Sequence, residues 1–96
     1  MKKLDQRQFT VSGDVLFQEV AGEMVLLDLA TEEYFGLDEI GARIWQAIDG
    51  GEPFETAMKQ ILDKFEVGRE QLEQDVAALL DQLVQAGLLK SDAGPG

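Results

Sequence analysis

Apolar residues dominate a short run over Val15–Val20, which ends at Ala21-Gly22, a pair suited to a tight turn. Beyond it, Glu23–Leu29 reads as a second strand. This one is apolar on both alternating sets, with Met24 and Leu26 on one and Val25, Leu27 and Leu29 on the other, a pattern expected of a central strand covered on both faces. Ala30-Thr31-Glu32 makes a polar turn, and Glu33-Tyr34-Phe35-Gly36-Leu37 forms a third strand, short and rich in aromatics.

From there the period lengthens from two residues to about 3.6. Asp38 is suited to cap a helix that carries Ile40, Ile44, Trp45 and Ile48 on one face, and Gly50-Gly51 ends it. Pro53 fits the first turn of a second helix, with Phe54, Ala57, Met58, Ile61, Leu62 and Phe65 as its apolar stripe. A break at Val67-Gly68 precedes a third helix, Arg69 to Ala86, with Leu72, Val76, Leu79, Leu80 and Leu83 turned inward. Gly87 stops it, and Leu88-Leu89 pack back on the core.

Three antiparallel strands followed by three helices define an α+β domain with helices against one face of a small sheet. The expected organisation is a loose, polar N-terminal arm over residues 1–14, one folded domain over 15–89, and a disordered tail over 90–96. A chain of 96 residues has room for one domain, and its 45% hydrophobic and 28% charged residues supply an ordinary globular core.

Composition narrows the chemistry further. The chain has no cysteine and no histidine, which removes disulfides, thiolate nucleophiles, soft-metal sites and imidazole acid–base catalysis together. No apolar run follows Met1-Lys2-Lys3, and no stretch approaches the roughly 20 apolar residues of a membrane span, so the expectation is a cytoplasmic protein without a membrane segment. The net charge of −11 serves solubility and opposes binding to nucleic acid or anionic lipid.

Carboxylates are the plentiful reactive groups, but pairs such as Glu32/Glu33 or Glu73/Asp75 fall on turns and polar helix faces, where solvation accounts for them. No calcium-loop spacing or phosphate-cradling glycine loop occurs. Ser12 and Ser91 lie near the expected loose ends, and Thr10, Thr31 and Thr56 have no evident base. The chain is expected to have no catalytic, metal or cofactor site and not to be an enzyme. If the helical half is compared with a DNA-reading winged helix, the third helix presents Glu70, Glu73, Asp75 and Asp81 against a single Arg69, a poor match to phosphate.

The third strand is the informative element. In a simple meander it lies at an edge with unpaired backbone groups, and natural edges are usually blunted by lysine, proline or a bulge. Here Tyr34, Phe35 and Leu37 are interrupted only by Gly36. Two readings are open: an edge that accepts a strand from another chain, or a set of core side chains whose edge is covered by a helix or the N-terminal arm.

The segments Met24-Val25-Leu26-Leu27-Asp28-Leu29 and Tyr34-Phe35-Gly36-Leu37-Asp38-Glu39-Ile40-Gly41-Ala42-Arg43-Ile44-Trp45 resemble the PqqD-like family. So do Gly50-Gly51, Asp75-Val76 and the closing Leu83…Gly87-Leu88-Leu89. Members are also called recognition elements of ribosomally made, post-translationally modified peptides. The resemblance spans about residues 15 to 89. It implies a winged-helix-like fold in which the leader of a precursor peptide adds as an antiparallel strand to the third strand, in a groove beside the third helix. Carried over, Glu33, Tyr34, Phe35, Gly36 and Leu37 supply the backbone ladder. Leu72, Val76, Leu79 and Leu83 are the candidate apolar contacts, some of them core, and Asp75 stands at the rim.

Tyr34-Phe35-Gly36-Leu37-Asp38 is more similar to the stand-alone members of lasso-peptide pathways than to the cofactor-quinone protein, which has Leu-Asn where Leu37-Asp38 stands. A lasso-type member presents its leader to a leader peptidase and a cyclase, and a quinone-type member to a radical S-adenosylmethionine enzyme. Outside the family, the alternatives are a winged-helix DNA binder and an acidic adaptor. The expected state is a monomer or a weak edge-strand dimer.

Overall fold

A computed structural model describes residues 9–21 and 23–91. The elements run β1 (Phe9–Val11), β2 (Val15–Val20), β3 (Glu23–Asp28), β4 (Glu33–Leu37), α1 (Glu39–Gly50), α2 (Phe54–Lys64), α3 (Arg69–Gln85) and β5 (Leu89–Ser91). The main sheet is antiparallel with strand order β2-β3-β4, and three helices follow it. This is the α+β arrangement of three strands and three helices that the pattern implies.

The sheet's register explains which side chains meet the core. Phe17, Leu26 and Phe35 stand opposite one another, and so do Glu19, Met24 and Leu37. Leu26 is fully buried, while Phe17, Met24 and Phe35 pack against the core from its margin. On the other face, Leu16, Leu27 and Tyr34 are aligned beside Gln18, Val25 and Gly36. Val25 and Leu27 are half-buried, yet neither joins the core cluster. The expectation that β3 is covered on both faces therefore needs correcting. β3 is central, but among the described residues Val25 and Leu27 on its second face do not pack against the core.

Helix α1 carries the centre of the domain. Asp38 caps it by accepting a hydrogen bond from the Gly41 amide at 2.7 Å, and Gly41, Ala42, Ile44, Trp45, Ala47 and Ile48 are buried. It ends at Gly51, whose left-handed conformation (φ 70°) turns its amide back to the Ala47 and Ile48 carbonyls. An added Cβ there meets nothing within 4 Å, so only backbone strain would oppose a side chain. Gly51→Ala should cost about 1 kcal/mol in a urea melt with its m-value unchanged. Pro53 is the N-cap of α2, one residue ahead of its first turn. Between α1 and α2, Arg43 holds both Glu52 oxygens, at 2.9 and 2.5 Å, and also reaches Gln60. The guanidinium holds the Glu52 carboxyl below the usual carboxylate range through this hydrogen bonding.

The chain's two ends depart from expectation. Phe9–Val11, within the stretch read as a loose arm, forms β1, and it pairs antiparallel with β5 so that Phe9 faces Ser91 and Val11 faces Leu89. Ser12 extends the link, its amide donating to the Leu88 carbonyl at 3.1 Å and its hydroxyl to the Gly87 carbonyl at 2.8 Å. Lys90 and Ser91, assigned to the tail, belong to this strand pair. Leu88 and Leu89 are buried as expected. The remainder of the arm (residues 1–8) and of the tail (residues 92–96) lies outside the described residues.

Candidate functional site

β4 is an edge strand, and the hydrogen-bond alternation of antiparallel pairing says which of its backbone groups are free. The Leu29 amide donates to the Asp14 carbonyl at 2.8 Å, so Leu29, Leu27 and Val25 direct their backbone groups toward β2. Asp28, Leu26 and Met24 therefore direct theirs toward β4, where their partners are Glu33, Phe35 and Leu37. Tyr34 and Gly36 are left with amide and carbonyl pointing away from the sheet. The open ladder thus has two rungs, and both belong to residues singled out from the sequence.

The side chains divide the other way. Glu33, Phe35 and Leu37 point to the helix side, where Leu37 is buried and Phe35 half-buried, whereas Tyr34 is 68% exposed on the outer face. The start of β4 is fixed by its turn. Asp28 Oδ1 accepts from the Ala30 amide at 3.0 Å, the Asp28 carbonyl accepts from the Glu32 amide at 2.7 Å, and Glu32 takes a left-handed conformation (φ 62°) to bring Glu33 into register.

Helix α3 forms the opposite wall. Leu72, Val76, Leu80 and Leu83 make one stripe at helical spacing and are at most 2% exposed. Three residues carried over as groove contacts, Leu72, Val76 and Leu83, are therefore core and present no surface to a ligand. Toward β4 stand the half-buried Leu79 and, just past the end of α3, the exposed Ala86, while Asp75 and Gln82 are exposed at helical spacing from Leu79. Asp75 is held by the Gln71 amide group at 2.9 Å.

Gly41 shows how closely these elements meet. A Cβ built there would lie 3.2 Å from Asp38 Oδ1, 3.3 Å from Leu37 Cδ2 and 3.4 Å from Leu79 Cδ2. The glycine lets the start of α1, the end of β4 and the middle of α3 converge. At the far end of β4, a cavity of about 350 Å3 opens between Asp28, Glu33, Tyr34 and Phe35 on one side and Ala86 and Leu88 on the other. The cavity thus flanks the Glu33 end of the β4 edge, and the other end is marked by the approach of Leu37 and Leu79 at Gly41. Asp28, Ala86 and Leu88 are not among the site residues that the sequence suggests. The available signal was that Ala86 lies seven residues beyond Leu79, on the same helix face.

The electrostatics of this side are one-signed. Residues 14–38 contain no lysine or arginine, and the last turn of α3 has no basic residue to offset its negative end. The cationic partners sit on the helical half, where Arg69 reaches Glu55 at 2.6 Å and Lys64 reaches Glu39 at 2.7 Å. Among the described residues there is no cluster of three or more potential metal ligands, and every buried side-chain nitrogen or oxygen has a hydrogen-bond partner. No helix of the described residues is long and apolar enough to cross a membrane. What this arrangement offers is a backbone edge, an apolar floor at Leu79 and Phe35, and an acidic rim.

No curated protein sequence matches the chain. Among solved structures, TbiB1 in complex with the TbiA(beta) leader peptide is similar at a TM-score of 0.75 and 34% identity, covering 88% of this chain and 99% of that one. A lasso peptide synthetase B1 complexed with the leader peptide is similar at a TM-score of 0.76 and 28% identity, covering 85% of this chain and 96% of that one. The family model for coenzyme PQQ synthesis protein D (PqqD) matches residues 23–89, which takes in the main sheet from β3 onward, all three helices and the start of β5. Sheet, helices and sequence pattern agree on one assignment: the chain belongs to the PqqD family.

Proposed function

We propose that this protein binds the leader segment of a ribosomally made precursor peptide, as an added strand on β4, and presents it to the enzymes of a lasso-peptide pathway. The observation that carries the reading is the open edge itself, with the free amides and carbonyls of Tyr34 and Gly36 on the strand whose Leu37 approaches Leu79 of α3. Two relatives of nearly the same length were solved with leader peptides, which supports the same ligand class here. Main-chain pairing supplies affinity that tolerates sequence, and Leu79, Phe35 and the cavity beside Ala86 supply selectivity. The chain works without chemistry of its own in the cytoplasm, where holding the precursor raises its effective concentration near the enzyme to the order of millimolar.

The test is an amide NMR titration with the leader of the cognate precursor and with the TbiA(beta) leader, using the core peptide and a DNA duplex as controls. Shifts confined to β4 and to α3 around Asp75–Ala86, seen with leader only, are expected. An equal response to DNA, or none to either leader, would sink the reading. Leu79→Glu should weaken leader binding about 5- to 100-fold by fluorescence anisotropy, because a carboxylate would replace the apolar floor. Phe35→Asp is a poorer probe, since Phe35 packs against the core and its loss would disturb folding as well.

A further inference from the structure

We propose that the outer face of the main sheet is the docking surface for the maturation enzyme, and that it takes an apolar patch framed by lysine or arginine. The inference rests on the leader-binding reading for the partner's identity and on the sheet alone for its location. Four large apolar side chains are exposed among the described residues, and all are on this side: Leu16 at 42%, Val20 at 52%, Leu29 at 50% and Tyr34 at 68%. Leu16, Val20 and Tyr34 share one face by strand register, and Leu29 continues the alternation one residue past β3. Val25 and Leu27 lie between them, half-buried and outside the core cluster. Scattered apolar residues need no explanation, but a contiguous set on one sheet face marks an interaction surface.

Charge selects the occupant. Residues 14–38 hold no cation, and the carboxylates bordering the patch, including Glu23 and Glu32, form no ion pair with any described residue. A second copy would bring the same acidic border against this one, and an anionic membrane would also be repelled. A protein surface with an apolar centre and a basic rim satisfies both features. The location also suits delivery. Tyr34 offers its backbone to the groove edge and its side chain to the outer face, so an enzyme seated on the sheet is one strand away from the bound leader.

Leu16→Arg and Val20→Arg on β2 test this, because both side chains are exposed and neither belongs to the leader groove. Purified leader peptidase and cyclase of the same pathway are titrated against wild type and variants by biolayer interferometry, and leader affinity is read on the same samples by anisotropy. The expected result is a loss of more than about tenfold in affinity for one enzyme, with leader affinity within about twofold of wild type. Enzyme binding unchanged in both variants would overturn the proposal. So would a wild-type dimer in analytical ultracentrifugation that both substitutions dissociate, since the patch would then serve a second copy. If wild type binds the enzyme but no leader, the functional reading fails while the docking surface stands.

Discussion

Gly36→Pro should weaken leader binding by about 5- to 150-fold while leaving the fold intact. A proline lacks the amide that β4 offers at its second open rung, and an unmade hydrogen bond to a buried partner costs about 1–3 kcal/mol. The domain should tolerate the change for three structural reasons. The Gly36 amide does not belong to the β3–β4 ladder, its φ is not among the positive ones, and a Cβ there meets nothing within 4 Å. Proline is compatible with an edge strand when its nitrogen faces outward. Two neighbours complete the experiment. Gly36→Ala keeps the amide and should bind as wild type, whereas Phe35→Pro removes a rung of the internal ladder and should lower the melting temperature. Normal binding by a folded Gly36→Pro protein would place the leader elsewhere.

The largest loss of stability is expected at Trp45. It is 2% exposed on the buried face of α1, among Ile44, Ile48 and the α3 stripe. Trp45→Ala should cost about 3–5 kcal/mol, the range for emptying a large aromatic site in a core that relaxes only partly. Domains of this size are stable by about 5–15 kcal/mol, so a substantial part of the total would go, with a fall in melting temperature of about 15–30 °C. Trp45 is the chain's single tryptophan, so the variant must be followed by far-ultraviolet circular dichroism rather than fluorescence. Trp45→Phe, which leaves a smaller void, should fall between the two. A loss under about 1 kcal/mol for Trp45→Ala would contradict the burial of this side chain.

The middle of the chain was legible because its signals are local. Asp38 and Gly51 bracket α1 as capping chemistry predicts, and the change of period after Leu37 marks where sheet gives way to helix. β1 and β5 were missed for a physical reason. Each has three residues, too few for a period to show, and the bonds that fix them join Ser12 to Leu88 and Gly87 across almost the whole sequence. At the site, the edge strand was readable from Tyr34-Phe35-Gly36-Leu37, but the division of α3 was not. Leu72, Leu79 and Leu83 are the same residue type at helical spacing, and only the direction from which α1 and β4 approach makes two of them core and one a groove wall. A strand with apolar residues on both sides looks alike in sequence whether its second face meets a helix or not, so the pattern of β3 does not reveal that Val25 and Leu27 stand outside the core.

The pairing of β1 with β5 brings the two ends of the described unit together, Phe9 beside Ser91. The domain is thus nearly a closed ring, one short linker from circularity. These strands adjoin the flank of α3 that bears Ala77 and Val84, across the helix axis from the flank that faces β4. A chain entering at Phe9 and one leaving at Ser91 can therefore be extended, joined to each other, or spliced into a surface loop of a larger protein without crossing the cavity beside β4. Architecture of this kind lets one compact unit be carried between protein contexts as an interchangeable cassette.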